Sequence, residues 1–135
     1  MIQFHYAYQG FKVKSSTDIK SWLSRVARAE KKKIERLEYI FTGDDELKEI
    51  NKQSLDHDYY TDILTFPYSY TPIEGEIYIS MDRIKDHAVK YKVPFDQELH
   101  RVMVHGLLHL CGYDDQSRSA KLHMTRLEDQ YLCLL

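Results

Sequence analysis

His105 and His109 stand four residues apart in the run Val104-His105-Gly106-Leu107-Leu108-His109-Leu110-Cys111-Gly112-Tyr113-Asp114-Asp115. In a helix both imidazoles leave the same face, with Cβ atoms about 5–6 Å apart. Two ring nitrogens at that spacing can reach one metal ion, as they do on the helix of H-E-x-x-H zinc enzymes. Gly106 costs such a helix about 1 kcal/mol relative to Ala, so it marks a close approach by another element or by a ligand. Gly112 can reverse the chain one turn after His109, bringing Asp114 and Asp115 back toward the imidazole face. Two imidazoles and one carboxylate leave a tetrahedral ion one open vertex for water, the pattern of a catalytic site rather than a structural one. Cys111 lies about 200° around the helix from His109 and reads as core.

The residue types that are missing narrow the chemistry. An H-E-x-x-H peptidase keeps its general base between the histidines, where this chain has Gly106. Glu98 precedes His105 by two helical turns, about 10 Å, and reads as a first-turn acid favoured by the helix dipole. Hydrolysis of a phosphodiester asks less of the protein, because a metal ion both activates water and neutralises developing charge. A small zinc hydrolase of another class, and a non-catalytic protein that uses the metal as a staple, are the rival readings. An open coordination vertex separates the enzyme from the staple.

Several elements must position this pair. Ile2 to Tyr6 alternates as a strand, and Ile19, Trp22, Leu23 and Val26 mark an amphipathic helix running to about Lys31, with Ser15 to Asp18 offering caps. Arg36 to Phe41 reads as a strand, Asp44 opens a second helix, and the polar stretch Gln53 to Tyr60 reads as a loop. Thr61 to Pro67 and Glu76 to Ser80 read as strands, and the segment between them, holding Pro67, Pro72 and Gly75, reads as a connecting loop. Helices are expected from Met81 to about Tyr91, from Gln97 to about Cys111 with Asp96 as N-cap, and from about Ser117 to Leu132. Four strands and about five helices without strict alternation predict an α+β fold, a small mixed four-stranded sheet carrying a metal-binding HxxxH helix.

The 135 residues, 43% of them hydrophobic and 30% charged, fit one domain spanning 1–135. No apolar run approaches the ~18 residues of a membrane span. The first residues lack the pattern of a secretory signal, and two cysteines do not make a disulfide framework, so a cytoplasmic protein is expected. The net charge of −2 hides a segregation. Lys20 to Arg36 carries seven bases against two acids, and Phe41 to Asp62 carries seven acids against two bases. The first segment is either a solvated helix end or a polyanion contact. Trp22 reads as core, and His5, His87, His100 and His123 as surface or core histidines.

The segment His105-Gly106-x-Leu108-His109-Leu110-x-Gly112-Tyr113-Asp114 resembles the signature of the bacterial YbeY-type endoribonucleases, the rRNA maturation factors. Thr61-Asp62-Ile63-Leu64-Thr65-Phe66-Pro67 and Gly75-Glu76-Ile77-Tyr78-Ile79-Ser80 are similar to two strands of that family, and Met124 and Glu128 fall where its last helix carries Met and Glu. The likeness runs from about Asn51 to Glu128. It implies a single-strand-specific metallo-endoribonuclease in 16S rRNA 3′-end maturation and late-stage 70S ribosome quality control. Single-stranded rRNA and the ribosome or 30S subunit would be its partners, with no membrane involved.

By the same resemblance the metal ligands are His105, His109 and Asp115, with zinc as the expected ion. Familiar members carry His at the third position. The carboxylate of Asp115 lowers the charge of the site and admits harder ions such as manganese. Asp114 is the second choice. The family's Arg, six residues before Thr61, is Leu55 here, with Lys52 and His57 as nearby cations. Lys31 to Lys33, Arg101 and Arg118 are the candidate contacts to RNA phosphates.

Overall fold

A computed structural model describes residues 1–55 and 60–135, Leu55 by its backbone alone. The chain runs β1 (Ile2–Tyr6), α1 (Ser16–Ala29), β2 (Ile34–Thr42), α2 (Asp44–Leu55), β3 (Ile63–Tyr70), β4 (Ile73–Ser80), α3 (Met81–Tyr91), α4 (Phe95–Leu110) and α5 (Arg118–Leu132). The sheet order is β1-β2-β4-β3. β1 and β4 lie parallel to β2, and β3 returns antiparallel to β4. This is the α+β arrangement with a mixed four-stranded sheet that the residue pattern predicts.

Alternation along β2 and β4 turns Leu37, Tyr39, Phe41, Ile73, Ile77 and Ile79 into the core. α4 crosses that face and is apolar on most of its circumference, burying Leu99, Val102, Met103, Val104, Leu107, Leu108 and Leu110. Burying such a side chain contributes about 1.5–3 kcal/mol, so α4 is the most firmly held helix. Two glycines set its height above the sheet. A Cβ on Gly106 would meet Ile77 Cδ1 at 2.9 Å and Ile63 Cδ1 at 3.0 Å, and one on Gly75 would meet Leu110 Cδ1 at 2.9 Å. The close approach read from Gly106 is therefore made by the strands beneath it. α1 buries Ile19, Trp22, Leu23 and Val26. The Trp22 indole donates to the Tyr131 carbonyl at 2.8 Å, joining α1 to α5.

Several boundaries differ from expectation. α2 continues over Gln53 to Leu55, which the sequence reads as loop, and Asp56 to Tyr59, including His57, lie outside the described residues. Pro67 and Gly75 belong to strands rather than to a loop. β3 is the sheet edge and shifts register between Pro67 and Ser69, and a missing N–H is tolerated at such a bulge. The hairpin turns at Thr71-Pro72, a cis peptide bond. Ser15 adopts a left-handed conformation and gives α1 no side-chain cap, and α4 starts at Phe95 with Asp96 inside its first turn. Ser80 and Ser117 cap α3 and α5, their side chains accepting from the backbone N–H of Arg83 and Ala120.

Candidate metal centre

With α4 seated on the sheet, His105 and His109 project from its partly exposed face. Their Nε2 atoms lie 2.9 Å apart, with the rings at 83°. Gly112 takes φ 106° beyond the helix end, where the Tyr113 N–H returns to the Leu108 carbonyl at 3.1 Å. That six-residue reversal is the Schellman pattern, and it folds the following residues back over the imidazoles. Asp115 Oδ2 then lies 3.4 Å from His105 Nε2 and 3.7 Å from His109 Nε2. Asp114 instead caps its own turn, accepting from the Gln116 N–H at 3.2 Å. Among the described residues, His105, His109 and Asp115 form the one group of three able to share an ion.

The outer nitrogens decide what the inner ones can do. His109 Nδ1 lies 2.9 Å from the Tyr113 carbonyl, which only accepts, so that nitrogen carries the proton. His105 Nδ1 lies 2.6 Å from Glu128 Oε2 on α5, so it is the donor there as well. In the neutral tautomers both Nε2 atoms then present lone pairs to each other and to a carboxylate oxygen. Such a set calls for a cation at its centre. Bonds of about 2.0–2.1 Å in a tetrahedron place ligand atoms about 3.3 Å apart, close to the observed separations. The donor set therefore fits a divalent ion, and both imidazoles have the outer-shell partner that metal-bound histidines usually have.

Electrostatics push the two rings in opposite directions. Burial disfavours charge on His105, but the hydrogen bond and charge of Glu128, with Asp115 and Asp62, more than offset it and raise its pKa. Burial and the neighbouring His105 lower the pKa of His109. A second tier of contacts braces the site. Tyr113 OH donates to Glu30 at 2.6 Å, a bond that pushes its pKa up to about 12. Arg101 donates to Glu128 at 2.9 Å and to Asp129 at 2.7 Å. That double pairing ties Arg101, a candidate phosphate contact from the sequence, to α5.

A cleft of about 480 Å³ opens beside His105, lined by Asp62, His87, Glu98, Arg101 and Glu128 among others. Glu98 does occupy the first turn of α4, yet it is only 6% exposed. Burial raises its pKa, with His87 and Arg101 working against that rise. His87 Nδ1 stands 3.8 Å from Glu98 and 3.9 Å from Asp62. A second cleft of about 490 Å³ flanks His109, floored by the edge strand at Ile63 to Thr65 and by Tyr70. The triad sits between the two.

Comparison with known proteins identifies the family and supports the fold. The family described as endoribonuclease YbeY matches residues 4–135. The chain belongs to the endoribonuclease YbeY family. It is 44% identical over 135 residues to the endoribonuclease YbeY of Flavobacterium psychrophilum, covering 99% of this chain and 96% of that protein. The endoribonuclease YbeY of Cytophaga hutchinsonii is 45% identical over 126 residues, covering 92% and 88% of the two chains. A Thermotoga maritima protein whose structure was determined in solution superposes with a TM-score of 0.70 at 29% identity, covering 98% of this chain and 87% of that one.

Sequence reasoning on its own missed the Glu128 contact, which spans 23 residues. The one available signal was the coincidence of Glu128 with an acid of the family's last helix. His87 and Glu98 were read singly, and nothing in their spacing announces a shared cleft. Among the readings that stand, Trp22 is fully buried, while Cys111 is a partly buried free thiol whose pKa burial pushes up to about 12. His5 pairs with Glu38 at the surface, and His123 stacks on Tyr113.

Proposed function

We propose that this YbeY-family chain is a metal-dependent, single-strand-specific endoribonuclease, with His105, His109 and Asp115 as the ligands of one ion. The convergence of two imidazole nitrogens and one carboxylate oxygen, all within 4.8 Å of one another, carries this reading. Two imidazoles favour zinc, and the carboxylate widens the choice toward manganese. When bound, a divalent ion supplies Lewis acidity, making water more acidic and offsetting charge on a phosphodiester.

The chain's own residues do the rest. The Tyr113 carbonyl and Glu128 fix the tautomers and orientations of the two rings. Asp115 supplies the negative charge that balances the ion, and the Gly112 turn leaves it partly exposed, open to substrate. Glu98, held protonated to higher pH by burial, is the carboxyl of the adjoining cleft suited to give a proton to a leaving oxygen. Within this proposal, and supported by the resemblance, the work is 16S rRNA 3′-end maturation and late-stage 70S ribosome quality control, in the cytoplasm, on single-stranded rRNA within the ribosome or 30S subunit. Among the described residues no helix is long and apolar enough to cross a membrane.

The deciding experiment compares cleavage of single-stranded and duplex RNA by the metal-loaded protein, by the chelated protein, and by a folded His109→Ala variant. Cleavage of the single strand by the loaded protein alone is expected. Bound metal without cleavage would identify a structural ion in an assembly factor, and cleavage of peptides instead would identify a different hydrolase.

A further inference from the structure

The basic run of the sequence does not end up as a scattered solvated face. A groove of about 690 Å³ lies between α1 and the first residues of β1 and β2, and Lys20, Arg25, Arg28, Lys32 and Lys33 line it with no acid among its lining residues. On α1, positions 17, 20, 21, 24, 25 and 28 share the side opposite the buried Ile19, Trp22, Leu23 and Val26. That side therefore presents the hydroxyls of Thr17, Ser21 and Ser24 between three cations, along about 16 Å of helix.

These cations are also uncommitted. Among the described residues none of the five makes an ion pair, whereas Arg36 is paired with Glu38, Arg83 with Asp44 and Asp86, and Arg101 with Glu128 and Asp129. Lys20 rests its ammonium 5.0 Å from the centre of the Phe4 ring. Glu30, two residues from both Arg28 and Lys32, is drawn away, its two carboxylate oxygens taken by the hydroxyls of Tyr113 and Tyr131. A surface of hydroxyls, ammoniums and guanidiniums without a carboxylate recognises a ligand bearing several negative charges. It has no aromatic platform among its lining residues for stacking a base, so it reads backbone charge rather than sequence.

The groove is joined to the triad by one short path. Glu30 follows α1 directly and holds Tyr113, whose carbonyl orients His109. We propose that this α1 groove is a second RNA contact, gripping the phosphodiester backbone of the substrate at a distance from the scissile bond. The proposal rests on the reading of the chain as a nuclease and adds to it a determinant of substrate length.

The test uses the metal-loaded protein and an Arg25→Ser/Arg28→Ser/Lys33→Ser variant, three positions that are exposed and outside the triad. Cleavage of a 20-nucleotide single strand and of a tetranucleotide is followed across a salt series. Each phosphate contact to a single strand contributes about 0.7 to the slope of log affinity on log salt, so three lost contacts reduce that slope by about 2. The expected result is a KM for the long strand raised by up to about a hundredfold near 0.1 M salt, with kcat and the tetranucleotide kinetics unchanged. A long-strand KM within twofold of the parent, in a parent that does cleave, overturns the groove and spares the nuclease reading. Loss of tetranucleotide cleavage as well would also overturn it, because the groove would then be acting on the triad. Failure of the parent to cleave either strand removes the nuclease reading and the groove with it. Unchanged KM together with lost binding to anionic phospholipid vesicles would assign the groove to a lipid surface instead.

Discussion

Two regions of the molecule treat charge in opposite ways. In the cleft beside His105, Arg101 is held by two carboxylates, and Glu128 is shared between Arg101 and an imidazole. In the groove along α1, five cations share a surface with no acid to hold them. The cleft uses its charges on one another, which fixes side chains and tunes their protonation. The groove leaves its charges to solvent and to whatever anion arrives. A net charge of −2 describes neither region, because it averages a committed set with a free one.

The largest effects should come from breaking the committed set. Asp115→Ala should abolish metal retention, measured by mass spectrometry, without unfolding the chain, since that side chain is 39% exposed. Asp114→Ala should leave retention within about twofold, and the reverse order would refute the choice of ligand. Next, Glu128→Gln should weaken metal binding by about 10–100-fold, as loss of an outer-shell partner does. It should also free Arg101, which Asp129→Asn, touching only the exposed half of that pairing, should not. Equal effects of the two substitutions on metal affinity would mean that Glu128 acts through Arg101 rather than through His105.

A smaller effect with a definite sign concerns Glu98. Its folded pKa lies above the ordinary glutamate value of 4.5, so the folded state keeps a proton to higher pH than the unfolded chain. The carboxyl is neutral in both states below pH 4.5 and weakens the fold as pH rises through its folded value. Glu98→Gln should therefore match the parent in thermal stability at pH 4 and exceed it at pH 7 to 8, while cleavage falls. A variant less stable than the parent at pH 7 would show that pairing with His87 and Arg101 outweighs burial.

The smallest effect should come from the groove. The serine triple variant should change stability by less than about 0.5 kcal/mol, as exposed substitutions usually do, and should gain slightly at low salt as cation repulsion is relieved. Added salt should then stabilise the parent more than the variant. A marked loss of stability would mean that these cations are structural, and the contrast between the two regions would fail.

The sequence alone determined what repeats over short distances. Alternation wrote β1 and the cores of β2 and β4, the 3.6-residue period wrote the buried side of α1, and the four-residue interval placed His105 and His109 on one side of α4. Gly112 announced the reversal after them. These features are legible because they depend on backbone geometry within one or two turns. Breaker residues were misread where their cost depends on the neighbour. Pro67 and Gly75 disfavour an internal strand, but one sits at the bulged sheet edge and the other beneath Leu110.

The tertiary fold alone decided the partners. Glu128 reaches His105 from another helix, Glu30 reaches Tyr113 from 83 residues away, and the orientation of the Gly112 turn brings Asp115 rather than Asp114 to the imidazoles. It also decided which cations are spent and which are free, a distinction that Arg101 and Arg25 do not carry in their identity. Local propensity is written in neighbouring residues, whereas an electrostatic partner is whatever packing brings within a few ångströms, and packing is a property of the whole chain.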